Sequence, residues 1–169
     1  EVSGRRPGDG ADPLRILFGS HDKSLHCVDG RTGQRVWTFS TGNFINSAPA
    51  VSGRDAVVGA CDRNVYVVDL AEGLEMAAVD VGSYVAESAA VSDGLAFVGH
   101  YDSELVAVDL VKAEVAWRYR GEGGEFFSCP AVDAERVVAG SRDDHVHCVG
   151  KSDGRPLWTF DAGADVYAS

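Results

Sequence analysis

The sequence predicts an all-β fold of many short strands joined by tight turns. Its 169 residues include twenty glycines but only one methionine, and 45% of them are hydrophobic. The apolar runs, such as "NVYVVDL" and "LVAVDL", are too short for helices and are rich in the β-branched residues that strands favour. Asp, Gly, Asn and Ser separate these runs, as is typical of turns.

The sequence also repeats itself with a period of about forty residues. A glycine recurs at intervals of 40, 40 and 41 residues: Gly19, Gly59, Gly99 and Gly140. An aspartate keeps the same intervals: Asp22, Asp62, Asp102 and Asp143. Two later columns contain Asp29, Asp69, Asp109 and Gly150, and then Trp37, Ala77, Trp117 and Trp158. Because all the columns share one insertion, the pattern indicates four tandem units.

Each unit is predicted to contain four strands. In the second unit we place them at Val85 to Val91, Ala56 to Ala60, Val65 to Asp69 and Leu74 to Val79. A repeat of this length with four antiparallel strands is typical of a β-propeller blade. The blades are predicted to span residues 14–169. Residues 1–13 are rich in Gly, Pro and charge, and we expect them to form a flexible linker.

Several segments resemble the repeats of one family. "CVDGRTGQRVW", "AVDLVKAEVAW" and "CVGKSDGRPLW" resemble the Ala-x-Asp-x-x-Thr-Gly-x-x-x-Trp docking motif of pyrroloquinoline-quinone-like (PQQ-like) repeats. "FGSHDKSLHCVD" and "INSAPAV" resemble two further segments of the same repeat. Such repeats occur in quinoprotein dehydrogenases and in many non-enzymatic propellers. The resemblance covers residues 14–169 and implies a β-propeller, which we assign to the non-enzymatic members.

The docking motif is predicted to act as a structural clasp between blades. An indole offers a large flat apolar face that can lie between adjacent sheets. The tryptophans of the clasp are Trp37, Trp117 and Trp158. Three aspartates are expected to accept backbone N–H bonds in the neighbouring turns: Asp29, Asp69 and Asp109. The second unit has Ala77 in place of Trp, so we expect the clasp to be weakest there.

The family resemblance also bears on how the blades close into a ring. Blades of this family run from an inner strand A to an outer strand D, which makes the first strand here, "RILFGS", a B strand. The C-terminal "DVYAS" aligns with the start of an inner strand and is predicted to complete the N-terminal B-C-D strands. Three arrangements remain open: a four-bladed ring, a homodimer that closes an eight-bladed ring, or part of a longer propeller. Since the family resemblance implies larger rings, we favour the last two.

Composition argues against some partners and compartment signals. The formal net charge of −11 makes this an acidic protein that repels nucleic acid. No apolar run approaches the twenty residues of a membrane helix, so we expect no membrane insertion. The chain shows no signal peptide pattern, and its localisation is left open.

Cysteine, histidine and aspartate patterns do not point to a metal site. The four cysteines form no Cys-x-x-Cys pair and are expected to be buried thiols. The five histidines are expected to be partly exposed. The first aspartate of each hairpin turn is expected to bond its own turn backbone, in a turn that differs slightly because the family's following glycine is missing.

Two functions from different classes were weighed. The resemblance implies that quinoprotein dehydrogenases hold PQQ over a calcium or lanthanide ion near Glu, Asn and Asp, often beside a disulfide of adjacent cysteines. No adjacent cysteines occur here, so we expect no catalytic residue, no metal and no cofactor, with a quinone-binding redox domain using PQQ and calcium as the alternative. The favoured function is a non-catalytic scaffold that binds protein or peptide through the variable connections between units. Its candidate binding residues combine aromatic and polar groups: Asn43, Phe44, Tyr84, Glu87, Glu125, Phe126 and Tyr167.

Overall fold

A computed structural model describes residues 14–85 and 87–167. Fifteen β-strands and no helix occur in this part of the chain, which confirms the predicted all-β class. The predicted linker, residues 1–13, lies outside the described residues. A search of the described residues finds no helix that is long and apolar enough to cross a membrane.

The strands form four antiparallel sheets in chain order, which we call blades 1 to 4. Blade 1 contains β1 (Arg15–Gly19), β2 (Ser24–Asp29) and β3 (Arg35–Ser40). Blade 2 contains β4 (Ala50–Ser52), β5 (Asp55–Gly59), β6 (Asn64–Asp69) and β7 (Glu75–Asp80). Blade 3 contains β8 (Ala90–Ser92), β9 (Leu95–His100), β10 (Glu104–Asp109) and β11 (Glu114–Arg120). Blade 4 contains β12 (Ala131–Val132), β13 (Arg136–Gly140), β14 (His145–Gly150) and β15 (Pro156–Asp161).

The inner strands are shorter than the sequence suggested, and one of them belongs to a different sheet. We predicted a strand at Val85 to Val91 within the second unit, but the strand there is Ala90–Ser92 and pairs with β9 of blade 3. Val85 is not in a strand, and its side chain packs directly on Gly59 of blade 2. The connection after each outer strand therefore crosses its own blade before it enters the next one.

The turn after the first long strand of each blade has the same backbone shape throughout. One residue in each turn has a positive φ: Lys23 (70°), Arg63 (78°), Ser103 (58°) and Asp144 (66°). This is the conformation that glycine adopts most easily. In every copy, a non-glycine residue directly after the turn aspartate adopts this conformation. As predicted, an aspartate supports three of these turns: Asp22, Asp62 and Asp143 each accept the N–H two residues later, at 3.0 to 3.2 Å.

Apolar side chains fill the three contacts between neighbouring blades, which we call junctions 1–2, 2–3 and 3–4. Junction 1–2 buries Trp37, Phe39 and Cys27 of blade 1 against Val58 and Tyr66 of blade 2. Junction 2–3 consists of valines and alanines from both blades. Junction 3–4 again contains a tryptophan from the earlier blade: it buries Trp117, Phe97, Phe126, Val137 and Ala139. The core is thus a series of layers between sheets.

The outer faces of blades 1 and 4 remain open. Trp158 of blade 4 is 46% exposed, whereas Trp37 and Trp117, its equivalents in blades 1 and 3, are each 8% exposed. On the outer face of blade 1, Ile16 and Phe18 are 48% and 43% exposed. These two faces do not pack on each other, so the described chain is an open array of four blades and not a closed four-bladed ring.

The C-terminal segment follows the path of an earlier connection. The N–H of Val166 donates to the carbonyl of Ser141 (3.0 Å), as the N–H of Ile45 donates to Ser20 (3.1 Å) in blade 1. The side chain of Val166 packs on Gly140 just as that of Ile45 packs on Gly19. Val166 therefore lies where Ile45 lies in blade 1, which is before the inner strand and not at its start as predicted. The next predicted positions, Ala168 and Ser169, lie outside the described residues.

Candidate protein-binding face

The connections between blades meet the hairpin turns of the following blades at one end of the array, which we call the loop face. The carbonyl of Phe44 accepts the N–H of Cys61 in blade 2 at 2.9 Å. The carbonyls of Tyr84 and Glu125 accept the equivalent N–H groups of Tyr101 (3.2 Å) and Arg142 (3.0 Å). Backbone bonds thus hold each connection in place, and its side chains lie next to those of the following turn.

A continuous row of rings crosses the loop face from blade 2 to blade 4. Tyr84 and Tyr101 meet edge to face, with ring centroids 6.2 Å apart, and Tyr101 meets Phe127 in the same way at 4.5 Å. The guanidinium of Arg142 lies 5.7 Å from the ring centroid of Phe127 and 5.8 Å from that of Tyr167. We call these five residues the aromatic strip. About half of the surface of each tyrosine in it is exposed.

Two carboxylates hold Arg142, the cation of the strip, in one position. Nε of Arg142 lies 3.3 Å from an oxygen of Asp165, and Nη1 lies 3.4 Å from an oxygen of Glu125. The hydroxyl of Tyr167 donates to the same Asp165 carboxylate at 2.7 Å. The hydrogen bond to Asp165 and the nearby charge of Glu125 raise the pKa of the Arg142 guanidinium above its usual value. Arg142 is therefore charged and oriented before any ligand arrives.

The predicted binding residues fall into three groups. Tyr84 and Tyr167 belong to the strip, and Glu125 supports it. Phe44 is exposed on blade 1, where it stacks on His21 with centroids 5.1 Å apart. Asn43 has a structural role instead, because its amide donates to the carbonyl of Cys61 at 2.9 Å.

Phe126 and Glu87 lie away from the exposed surface of the strip. Phe126 is fully buried and packs on Gly99, in the position of Ile45 and Val85, so its assignment to the binding face is corrected. Glu87 is half-buried, and this burial raises the pKa of its carboxyl. It occupies the position that Ser47 and Ser128 have in their own repeats.

Sequence reasoning missed Tyr101, Phe127 and Arg142. The signal lay in a variable column, since the residue before the repeated turn aspartate reads His21, Cys61, Tyr101 and Arg142. Variation beside a repeated structural residue indicates a surface that the fold does not constrain. The contacts themselves cross from one blade to the next, so no single unit of the repeat reveals them.

Trp37 and Trp117 lie at the junctions between blades, whereas Trp158 is exposed on blade 4. Nε1 of Trp37 donates to the carbonyl of Leu70 at 3.1 Å, and Nε1 of Trp117 donates to that of Lys151 at 2.9 Å. The carboxylate of Asp29 accepts the N–H groups of Arg31 and Thr32 at 2.9 and 2.8 Å. Asp69 and Asp109 accept the corresponding pairs of N–H groups in blades 2 and 3.

Two of the five histidines differ from expectation. His100 and His147 are buried, whereas we expected partly exposed side chains. His147 bonds to the Tyr119 hydroxyl of blade 3 (2.9 Å) and to the Asp143 carboxylate (3.0 Å), which compensates for its burial. Nε2 of His100 lies 3.3 Å from a carboxylate oxygen of Glu104. Burial lowers the pKa of His100.

A calcium-bound quinone would need metal-ligating side chains that lie together. Among residues 14–85 and 87–167, no three side chains of the His, Cys, Asp or Glu type gather in a way that could hold a metal ion. Cys27 and Cys148 are buried in blades 1 and 4, and each is paired with a tryptophan on the neighbouring strand. Burial raises the pKa of both thiols, which favours the neutral form. We derive no step that involves a quinone.

Comparison with known proteins identifies the family. The family model described as outer membrane protein assembly factor BamB, of the PQQ-like repeat type, matches residues 3–76 and 21–130. The chain belongs to the PQQ-like repeat family. This confirms the resemblance in the docking motifs. No curated protein matches the sequence.

Two solved structures share the fold of this chain and are about twice as long. BamB from Moraxella catarrhalis has a TM-score of 0.74 and 21% identity, over 87% of this chain and 46% of its own. The computationally designed Ika8 protein has a TM-score of 0.82 and 20% identity, over 94% of this chain and 50% of its own. This chain therefore spans about half the length of both structures, and at these identities the likeness shows the fold alone.

Proposed function

We propose that the chain is a non-catalytic β-propeller scaffold whose loop face binds a protein or peptide segment. The aromatic strip is the observation that carries this proposal. It presents three half-exposed tyrosines and an oriented arginine in one row. Tyrosine and arginine are enriched among the residues that dominate binding energy in protein interfaces.

The strip is also ordered in advance of binding. The connections that carry it are held by backbone bonds to the next blade, and Arg142 is held by Glu125 and Asp165. A ligand would thus lose little side-chain freedom of the protein on binding, which favours affinity. A segment with apolar side chains and exposed carbonyl groups suits this surface, since the rings offer apolar area and the tyrosine hydroxyls offer hydrogen bonds.

The family relationship supports a role in binding without specifying the partner. BamB is described as an outer membrane protein assembly factor, a name that refers to protein assembly and not to catalysis. The proposal needs no quinone. Neither membrane insertion nor nucleic acid binding is part of the proposal.

The test is selection from a displayed library of random peptides against the immobilised chain. We expect selected peptides to bind at least about tenfold more weakly to Tyr101→Ala and to Arg142→Ala. Val111→Ser is the matched control, because Val111 is highly exposed but lies in a turn at the opposite end of its blade. Circular dichroism verifies that each variant is folded. Failure to enrich any peptide, or equal binding by all variants, would contradict the proposal.

A further inference from the structure

The two open ends of the blade array carry opposite halves of the clasp. At junction 1–2, the indole of Trp37 covers Gly73, so that a Cβ built on Gly73 would lie 2.5 Å from Cδ2. At junction 3–4, Trp117 covers Gly154 in the same way. Each clasp therefore joins a tryptophan of one blade to a turn glycine of the next. Blade 4 offers the tryptophan half, and blade 1 offers the glycine half.

The glycine half on blade 1 is Gly33. Its φ of +68° matches those of Gly73 (+73°) and Gly154 (+66°), but no atom lies within 4 Å of a Cβ built on it. Trp158 is the matching tryptophan, and its ring is 46% exposed. In the described chain, the turn glycine of blade 1 is thus not covered by an indole, and the tryptophan of blade 4 is not docked on a glycine.

Junction 2–3 shows that the turn glycine and the tryptophan of the clasp occur together. Ala77 replaces the tryptophan there, and Ala113 of blade 3 replaces the turn glycine. Ala113 has a φ of +56°, so the left-handed turn itself tolerates a Cβ. Glycine occurs at this position where an indole lies over it. By this relationship, the glycine at position 33 is suited to a docked indole.

Two further residues of blade 1 that make contacts at junction 1–2, Arg15 and Phe39, have exposed equivalents in blade 4. Nη1 of Arg15 donates to the carbonyls of Leu70 and Ala71 at junction 1–2, and blade 4 has an exposed arginine, Arg136, in the equivalent position. Phe39 meets Tyr66 edge to face at 5.3 Å across junction 1–2. Phe160, the equivalent of Phe39, is 62% exposed on blade 4.

We propose that two copies of the chain close an eight-bladed ring in which Trp158 of each copy docks on Gly33 of the other. Nε1 of Trp158 donates to the carbonyl of Gly30, and Arg136 reaches the same turn. The two junctions are identical and form together, so each one raises the effective concentration for the other. The inference does not depend on the proposed binding function.

A second copy is the occupant that fits both ends. It supplies the missing tryptophan to blade 1 and the missing glycine to blade 4, in the arrangement already present at junctions 1–2 and 3–4. Four blades of this chain also cover about half of each of the two similar propellers. An unrelated partner would have to imitate both halves of the clasp separately.

The first experiment measures the mass of the 169-residue chain in solution by light scattering over a range of concentrations. We expect twice the chain mass of 17.9 kDa at high concentration, with dissociation to single chains on dilution. A single-chain mass at every concentration would overturn the proposal. This holds whether the open faces of blades 1 and 4 stay exposed or are covered by other residues of the same chain. Masses that keep growing with concentration would also overturn it, because they indicate open chains of copies.

The second experiment uses variants on both sides of the proposed contact. Trp158→Ala should raise the dissociation constant of the dimer at least about a hundredfold. Leu157→Ala is its control, because the equivalent residues of blades 2 and 3, Met76 and Ala116, stay exposed although both faces of those blades are packed. Gly33→Ala should weaken the dimer as well, since its Cβ occupies the place of the indole.

Gly53→Ala controls for backbone strain. Gly53 has a φ of +60° and, like Gly33, open space around its Cβ position, but it lies in a turn of blade 2 away from both open faces. We expect Gly53→Ala to dimerise as the unchanged chain does. If Trp158→Ala and Gly33→Ala also dimerise with unchanged affinity, the copies meet through another surface and the proposal is wrong.

Discussion

Trp37 and Gly73 lie on different blades and form one contact, in which the indole covers the glycine and donates to the carbonyl of Leu70 three residues earlier. The ring can approach the backbone so closely only because Gly73 has no side chain. One apolar surface and one hydrogen bond are thus combined at the same place. Such a contact joins two sheets without any covalent connection or strand pairing between them.

Removing this indole should destabilise the chain strongly. Trp37→Ala should cost about 3–5 kcal/mol of unfolding free energy, because it leaves a cavity at junction 1–2 and removes one of the hydrogen bonds to the carbonyl of Leu70. Urea unfolding followed by circular dichroism measures this loss. Trp158→Ala is the control and should cost far less in dilute, single-chain conditions, since its ring is exposed there. Equal losses would show that the indole is not important to the junction.

Two buried serines should differ in their contribution to stability. The Oγ of Ser128 donates to the Gly140 carbonyl (3.2 Å) and accepts the Gly140 N–H (2.6 Å), whereas that of Ser47 donates to the Gly59 carbonyl (2.9 Å). Ser128→Ala should therefore cost about 1–3 kcal/mol, and Ser47→Ala about 1 kcal/mol. Chemical denaturation of both variants tests the order. A larger loss for Ser47→Ala would contradict this interpretation of the bonds.

Glycine at a left-handed turn position should stabilise the protein. Lys23 has a φ of 70°, which costs an L-residue free energy that Lys23→Gly removes. Since glycine also loses more entropy on folding, the net gain is about 0.5 kcal/mol, or about 1–2 °C in Tm. Calorimetry at one protein concentration measures the shift. Lys112→Gly, at an exposed turn residue without positive φ, should lower the Tm, and a decrease for both variants would refute the argument.

Stability should fall at high pH because of Tyr66. Burial and the hydrogen bond to Asp62 raise the pKa of Tyr66 to about 12. The proton is held more tightly in the folded state than in the unfolded state, whose tyrosine pKa is about 10. This contribution is therefore complete below about pH 10 and is lost as the pH rises toward about 12.

Titration of tyrosinate absorbance, together with urea unfolding at each pH, tests this prediction. Tyr66→Phe should remove the latest-titrating tyrosine and reduce the loss of stability at high pH. Tyr84→Phe is the control, because the ring of Tyr84 is exposed on the loop face. A pH dependence that is the same in Tyr66→Phe as in the unchanged chain would contradict the assignment.

The blade structure could be predicted because the repeated residues have backbone roles. Gly19 and Gly59 recur because the side chains of Ile45 and Val85 pack directly on them, so any larger residue would clash. Such constraints act within one repeat and leave a visible column in the sequence. The family and the all-β fold followed from these columns.

The binding face could be predicted only in part, because it depends on contacts between repeats. Tyr101 and Phe127 come from a turn and a connection in different blades, and their distance of 4.5 Å is set by how those blades pack. Phe126 was misplaced for a different reason. One residue is inserted in its connection, and allowing for that insertion aligns it with the buried Val85.

The clasp of tryptophan and glycine has a consequence for how such rings can change in size. The contact needs an indole on one blade and a turn glycine on the next. Neither requires that the two blades belong to one polypeptide. Duplication and fusion of a gene can therefore convert an assembly of two chains into a single chain without altering any contact at the seam. In this architecture the number of chains in a ring can vary independently of the number of blades.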